Sequence, residues 1–399
     1  LPVPHWLIVG GGTSGCVLAA RLSEDPHNHV TLVEAGPEQR RRAASYLDDL
    51  AAPGAVWDGL VATDGDSGPR PYPQGRGLGG SSAVSGGVLS GELGDAGLDR
   101  LPVERRVVSD GELGAIDRAL LASCSDATPA LLSLASTAAT YLAPARQRAN
   151  LDVLTGALVD RVHLERRRAA GVVMADGAVL AADRVVCAAG AIHSPTLLLR
   201  SQVETAGIGD GLCDHAARVI ELTLRDDVDV DVHGLVTGTV LRRGRVEIVA
   251  MNHLGDAQPR TAALLVGLLS SQRRGTVRLS PTVPGDPAAP PAVDFGHLGE
   301  GDTVRLATGV ELAEELLTTR SFADVVTDFR VADGFGGYAH ATSTCAMGRV
   351  VDEHGAVSDY EGLYVCDASV FPVTPPSGTL LPVVVLAERL SRVWAATER

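Results

Sequence analysis

The chain contains no lysine: all 34 of its basic residues are arginine, set against 49 acidic ones. The resulting formal net charge of −15 argues against nucleic acid and anionic membrane surfaces as partners, since both repel an acidic protein. Aromatic residues make up only 4% of the sequence, so the stacking walls that hold sugars or planar rings are not evident. The six cysteines, Cys16, Cys124, Cys187, Cys213, Cys345 and Cys366, show no paired spacing of the metal or redox kind. Several fall in apolar segments, where cysteine serves as a small buried hydrophobe, and a reduced, cytoplasmic protein is expected. No apolar run approaches membrane-spanning length, and no leader-like pattern precedes the first strand. What is present is a 399-residue chain with 45% hydrophobic residues, enough for two or three domains' worth of core.

The most informative stretch is the opening one, Trp6 to Gly36. An apolar run, Leu7-Ile8-Val9, leads into Gly10-x-Gly12-x-x-Gly15, an alanine-rich amphipathic segment ends near Leu22, and a second run, Val30 to Val33, closes with Glu34. Strand, glycine turn, helix, strand and acid in this order and length form a dinucleotide-binding unit. Gly10 permits the tight turn, Gly12 lets a pyrophosphate approach the backbone, and Gly15 lets the helix pack on the strand. The helix N-terminus, with Thr13 and Ser14 in its first turn, offers free N–H groups and partial positive charge to phosphates. Glu34 can accept both ribose hydroxyls of an adenosine and would repel a 2′-phosphate.

A polar, arginine-rich stretch, Glu38 to Arg42, and a loop-like region to Pro73 follow. Gly75 to Gly87, GRGLGGSSAVSGG, holds too many glycines for a regular element and allows backbone to pass very close to something flat or charged. Helices are expected near Ile116 to Ala122, over Ala130 to Ala145, from Ser194 with Pro195 in the first turn, from Thr303 to Leu317, and from Pro382 through Trp394. A meander of Leu151–Leu154, Ala157–Leu164 and Gly171–Met174 is expected, then a buried strand, Arg184 to Cys187. Period-two alternation over Val219–Leu224, Leu235–Leu241, Val246–Met251, Ala262–Leu269 and Thr276–Leu279 predicts a separate antiparallel sheet of about five strands. The carboxy-terminal part returns to site-like chemistry with Tyr338-Ala339-His340-Ala341-Thr342-Ser343-Thr344-Cys345-Ala346-Met347-Gly348 and Cys366-Asp367-Ala368-Ser369.

Four separated motifs in this order resemble the glucose–methanol–choline (GMC) family of FAD-dependent oxidoreductases: the opening unit, GRGLGGSSAVSGG, Gly190-Ala191-Ile192-His193-Ser194-Pro195-Thr196-Leu197-Leu198, and the carboxy-terminal pair. Gly209-Asp210-Gly211-Leu212-Cys213-Asp214-His215 also fits the family's turn into the substrate domain. The resemblance implies an α/β fold, a Rossmann-type FAD-binding domain (residues 1–92, 151–217 and 333–399) with an α+β substrate domain on an antiparallel sheet (93–150 and 218–332). It implies FAD contacts from Gly10, Gly12, Thr13, Ser14, Gly15, Glu34, Ala35, Arg76, Gly79, Gly80, Ser81, Ser82, Ser85, Val159, Ala189, Gly190, Asp367, Ala368, Leu380, Leu381 and Pro382. Leu158 and Val159 would meet the adenine, and the helix after Pro382 would point its positive end at the flavin pyrimidine. Val84 stands where some members carry a flavin-linking histidine, so noncovalent FAD is expected.

His340 matches the family's catalytic histidine, which takes the hydroxyl proton while hydride leaves the alcohol carbon for flavin N5. His193, His215 and His354 lack that context and are expected to be structural or exposed. The sequence departs from the family at three residues and in the length of one segment. Leu380 occupies the position of a second histidine or asparagine, Gly378 and Ser85 replace common asparagines, and the segment between Leu93 and Leu151 is short. Asn252 or His253 is the candidate replacement for the polar partner lost at Leu380. The expected function is alcohol oxidation by an oxidase or dehydrogenase on a small alcohol-type substrate, with no metal and an electron acceptor the motifs leave open. Two alternatives stand beside it: a flavin-containing lyase or cyclase without net redox, and a degenerate FAD-binding homologue.

Overall fold

The computed structural model describes residues 3–38, 45–65, 68–89, 100–334 and 336–397. All but Glu38 of the expected arginine-rich stretch, and the expected boundary at 92/93, lie outside the described residues. The opening unit forms as its pattern dictates: strand His5–Val9, helix Thr13–Leu22 and strand His29–Val33. Apolar residues fill both strands because they are covered on both faces. A Cβ at Gly15 would collide with the Gly10 carbonyl oxygen, so helix and turn approach as only glycine allows. Gly10 itself sits at φ +105°.

These strands are the centre of a five-stranded parallel sheet in the order Leu363–Val365, Arg184–Cys187, His5–Val9, His29–Val33, Leu151–Leu154. Leu151–Leu154 is therefore the edge strand of this sheet and not part of the expected meander. The meander is Val159–Glu165, Arg168–Met174 and Val179–Ala181. The C-terminal helix Leu380–Thr397 packs across Thr13–Leu22, and Trp6 stacks on Trp394 with ring centroids 5.3 Å apart. Buried Glu388 joins three elements here, accepting from Arg21 and from Tyr141 Oη at 2.9 Å.

The second large sheet is antiparallel, in the order Val326–Val331, Ala216–Leu224, Thr261–Leu268, Val246–Met251, Thr239–Arg243, Ala127–Pro129. Helices Ala115–Ser123 and Glu300–Leu317 cover it, with Ile116, Leu120, Leu306 and Ala313 in a common core with Leu264 and Ile248. Two expectations change. The strand predicted at Thr276–Leu279, observed at Gly275–Arg278, joins a different sheet with Asp210–Leu212, Ala292–Asp294, Val61–Thr63 and Arg70–Pro71. The helix predicted over Ala130–Ala145 is confined to a π-turn, Ala138–Leu142, and Ala143–Ala145, because the residues before it pair as short strands. Its Tyr141, Leu142 and Ala145 pack into the core of the parallel sheet rather than the antiparallel one.

The helix expected from Ser194 begins at Gly190 and runs to Arg200, with Pro195 inside it. Proline has no N–H for the carbonyl four residues back. That carbonyl, of Ala191, accepts instead from Thr344 Oγ1 at 2.7 Å. The cost of an interior proline is thereby reduced, and the helix is tied to the segment that carries His340.

Candidate active site

A cleft of about 1140 Å³, open mouth included, lies at the carboxyl ends of the parallel strands. Val9, Val33, Ala188 and Asp367 reach it from four successive strand ends, the place where open α/β sheets bind ligands. Of the residues expected at the cofactor, Gly10, Gly12, Thr13, Ser14, Glu34, Ala35, Gly80, Ser81, Val159, Ala189, Gly190, Asp367, Ala368 and Leu380 line this one cleft, as does His340.

Three helix N-termini point into it: those of Thr13–Leu22, Gly190–Arg200 and Leu380–Thr397. The first has no side-chain cap and no acid in its first turn. Its leading N–H groups therefore suit an anion arriving from the cleft. Where Gly190 lines the wall at φ +81°, nothing beyond its chain neighbours and its own helix lies within 4 Å of the space a Cβ would take. An uncapped helix start beside backbone without side chains fits a pyrophosphate, and FAD is compatible with the residues present.

The two glycine stretches touch backbone to backbone. Gly79 N–H donates to Gly11 O at 2.7 Å, and a Cβ on Gly80 would stand 2.8 Å from Gly12 Cα. The close approach expected of GRGLGG is thus made first to the other glycine turn. Glu34 is buried and accepts three backbone N–H groups, from Gly11 (2.7 Å), Gly36 (2.7 Å) and Gly77 (3.0 Å). One carboxylate therefore holds both glycine loops while its edge faces the cleft. Asp367 ties strand ends to the neighbouring helix, accepting from Gly190 N at 2.9 Å, Ser194 Oγ at 2.5 Å and Ser369 N at 2.8 Å. Burial pushes its carboxyl up from the ordinary range, against these hydrogen bonds.

Seven expected contacts do not line the cleft. Gly15 lies beneath the turn, and Gly79 is turned toward Gly11. Ser82 Oγ donates to Gly79 O at 2.6 Å and accepts from Thr137 N at 3.2 Å, so it braces the loop from behind. Arg76 donates to Ala35 O at 3.0 Å with its guanidinium 5.3 Å from the Trp57 ring centre. Ser85 is half-buried beyond the loop, and Leu381 and Pro382 follow Leu380 onto the far side of their helix.

At the other end of the cleft stands His340. Its Nδ1 lies 3.0 Å from Nδ1 of His215, with the rings edge to face at 85°. His215 Nε2 lies 2.9 Å from the Pro375 carbonyl oxygen. Asp214 Oδ1 accepts the backbone N–H groups of both His215 (2.7 Å) and His340 (3.0 Å), and Oδ2 accepts Tyr72 Oη at 2.9 Å. Cys213 and Thr342 exchange backbone hydrogen bonds, fastening the same two segments. Ala339 and Ser343, on either side, hold φ of +59° and +74°, a backbone cost of about 1–2 kcal/mol each that the surroundings enforce. Burial, with a smaller contribution from His215, brings His340 down to about 3. It is therefore a neutral base at ordinary pH.

Sequence reasoning missed several of these groups. His215 is fully buried as a neighbour of His340, a contact the sequence did not suggest. His193 lines the cleft, its ring centroid 4.1 Å from that of Trp57 and tilted 30° to it, and burial lowers it to about 3. Asn252 and His253 are not partners of His340. Asn252 caps the helix Ala115–Ser123 by accepting from Ile116 N and Asp117 N at 3.2 Å, and His253 lies near Gly234 O. The signal for His215 was present in the Cys213-Asp214-His215 motif. Nothing local says that this turn meets a segment 125 residues away.

Fold and cleft define a Rossmann-type dinucleotide-binding oxidoreductase architecture. A family description, GMC oxidoreductase, matches residues 133–217 and 271–387, together about half of the chain, and an NAD(P)-binding Rossmann-like description matches residues 8–61. The chain belongs to the GMC oxidoreductase family of FAD-dependent enzymes. It is 28% identical to an uncharacterised GMC-type oxidoreductase of Rhodococcus erythropolis over 98% of each chain, in an alignment of 499 positions, so that relative has internal segments this chain lacks. It is 26% identical to 5-(hydroxymethyl)furfural oxidase of Methylovorus sp. over 97% of each chain. Among solved structures, pyridoxine 4-oxidase from Mesorbium loti superposes with a TM-score of 0.85 at 22% identity, covering 98% of this chain and 99% of that one.

Proposed function

We propose that the chain is an FAD-dependent alcohol oxidase or dehydrogenase in which His340 takes the hydroxyl proton of a small CH–OH substrate. FAD, when bound, supplies the hydride acceptor at flavin N5. The observation that carries this reading is the position of His340: its ring lines the same cleft as the glycine turn while its Nδ1 is held by His215. The names of two sequence relatives, 5-(hydroxymethyl)furfural oxidase and oxygen-dependent choline dehydrogenase, support oxidation of an alcohol without fixing a substrate.

Backbone N–H groups of Gly12, Thr13 and Ser14 would bind the pyrophosphate beside the turn at Gly10, whose own N–H is spent on Val33 O at 2.8 Å. Glu34 would meet the ribose, Val159 the adenine, and Gly80 and Ser81 the flavin side. Asp367 and Ala368, with Ala189 and Gly190 beside them, would meet the pyrophosphate and ribityl chain, and the helix starting at Leu380 would point its positive end toward the flavin pyrimidine. The side chain of Val84 has no atom able to form a flavin bond, which supports a noncovalently held FAD. We assign residues 1–92, 151–217 and 333–399 to FAD and 93–150 and 218–332 to substrate, except that Tyr141, Leu142 and Ala145 pack in the core of the parallel sheet.

Among the described residues, the charged groups on the cleft wall are engaged: Glu34 and Asp367 as above, and Arg200 with Asp160, Nε to Oδ1 3.5 Å. The flavin end therefore favours an uncharged alcohol. No described helix is long and apolar enough to cross a membrane, and all six cysteines are free and buried. Both fit a cytoplasmic site of action. The non-redox alternative drew its motive from Leu380 in place of a polar partner. His215 supplies a polar partner to His340 Nδ1, while Leu380 on the cleft wall still offers none to the substrate oxygen; product formation without flavin bleaching would favour that alternative.

Anaerobic mixing of the holoenzyme with a panel of primary and secondary alcohols tests the reading. Bleaching of the flavin bands by one class is expected, and His340→Ala should slow it by about 10²–10⁴-fold while flavin content stays unchanged. Undiminished bleaching in that variant would falsify the role of His340.

A further inference from the structure

The proton positions around His340 follow from one carbonyl group. Pro375 O can only accept, so the His215 Nε2 that lies 2.9 Å from it carries a hydrogen. In a neutral imidazole the other nitrogen is then a bare acceptor. That nitrogen, His215 Nδ1, lies 3.0 Å from His340 Nδ1. His340 must therefore donate from Nδ1, and its Nε2 is left with the lone pair. Burial holds both rings below the ordinary histidine range, which keeps the resting pair neutral.

We propose that His215 is a positioning residue that fixes His340 as the Nδ1–H tautomer and so makes Nε2 the atom that accepts the substrate proton. The proposal rests on the reading of His340 as the base and deepens it. When Nε2 takes the proton, His340 carries hydrogens on both nitrogens and its bond to His215 becomes charge-assisted, hence shorter and stronger. The Nδ1 proton can then pass along that bond to His215, leaving His340 neutral with its hydrogen on Nε2. One proton enters, one moves on, and no electrons are exchanged in either step.

The surroundings favour that second position. Asp214 and Glu247 both act to raise His215, so positive charge is better tolerated on the inner ring. Tyr338 stands 5.8 Å from the His215 ring and 5.5 Å from the His340 ring, and burial with neighbouring Glu247 keeps its phenol protonated. Tyr72 is likewise kept a donor to Asp214 by burial and by that carboxylate. The Asp214 clasp on both backbones, with the Cys213–Thr342 pair, prevents the two rings from parting.

The direct test is nitrogen NMR of the holoenzyme labelled with ¹⁵N-histidine at neutral pH, with signals assigned by His340→Gln and His215→Gln. The expected result is a protonated Nδ1 and a bare Nε2 on His340, with the reverse on His215. A hydrogen on His340 Nε2 in the resting enzyme overturns the proposal. Kinetics give the second readout. His215→Phe keeps a ring but no acceptor, and should lower the rate of alcohol-dependent flavin reduction by about 10–100-fold with little change in KM. His215→Gln, whose amide oxygen can accept from His340 and whose N–H can donate to Pro375, should recover most of that loss. Phe and Gln variants that are equally slow indicate a merely structural role, and a Phe variant as fast as the parent shows no role; either overturns the proposal. If His215→Phe does not fold, the NMR result on the parent protein decides. A failure of His340 itself would appear separately, as undiminished bleaching in His340→Ala.

Discussion

The two ends of the cleft are built from different materials. The nucleotide end is made of backbone: glycine turns in contact, an uncapped helix start, and one carboxylate holding three N–H groups. Its two glycine turns lie within residues 9–36 and 75–82, and the strand ends at Ala188–Gly190 and Asp367–Ala368 close the wall. The histidine end is made of side chains from segments that meet only in the folded chain: Tyr72, Asp214-His215, Tyr338 to His340 and Pro375. Backbone built on steric necessity leaves little room for substitution, whereas the side chains at the histidine end depend on which segments the fold brings together, as His215 beside His340 illustrates.

The largest effect should come from the backbone end. Gly15→Val puts side-chain atoms where the Gly10 carbonyl stands, and neither partner is a flexible side chain that could yield. A loss of more than about 3 kcal/mol is expected, read as protein that is insoluble or free of flavin absorbance. A flavin-replete variant with an unchanged melting temperature would break the comparison, since the close approach would then be dispensable. His340→Ala, at the other end, should leave flavin content intact and remove only the reaction.

How much of each end was legible follows the same division. The strand, turn, helix and acid from Trp6 to Glu34 could be read at once, because each residue's reason lies within a few neighbours. His340 was legible through its motif. His215 was not, although its motif was seen, because its meaning depends on a register between Cys213 and Thr342 that no local pattern encodes. The same limit explains the misplaced strands. Leu151–Leu154 reads as an ordinary short β run whether it ends in a meander or beside His29–Val33, and Gly275–Arg278 alternates like its neighbours yet pairs with Ala292–Asp294. The interior Pro195 looked like a helix start because the hydrogen bond that makes it tolerable comes from Thr344.

An intermediate effect is expected on acidification. His193 and His340, lowered to about 3 from 6.5, stay neutral in the folded protein while the unfolded chain protonates. Their contribution to stability is complete above pH about 6.5 and is lost as pH falls from there toward about 3, at up to about 1.4 kcal/mol per pH unit for each ring. Asp117 and Asp367, both raised by burial, oppose this at the acid end. Melting temperatures measured from pH 7 to 4 should therefore fall, and His193→Gln should show a shallower slope than the parent. Equal slopes would mean that the ring is solvated in the folded state. Alcohol-dependent flavin reduction should meanwhile show no loss to His340 protonation between pH 8 and 5.

The smallest effect on chemistry should come from Asn252, which the sequence offered as the partner of His340. Its amide oxygen accepts from Ile116 N and Asp117 N at 3.2 Å, and its Nδ2 donates to Asp117 Oδ2 at 2.5 Å, all within the antiparallel half of the molecule. Asn252→Ala leaves two helix-start N–H groups and a buried carboxyl short of a partner, a cost of about 1–3 kcal/mol. The melting temperature should drop by several degrees, while the rate of flavin reduction by the best alcohol stays within about twofold of the parent. A variant that folds and binds flavin yet loses the reaction would place Asn252 at the histidine end after all. The separation between a structural asparagine and a positioning histidine, drawn here from hydrogen bonds alone, would then have to be redrawn.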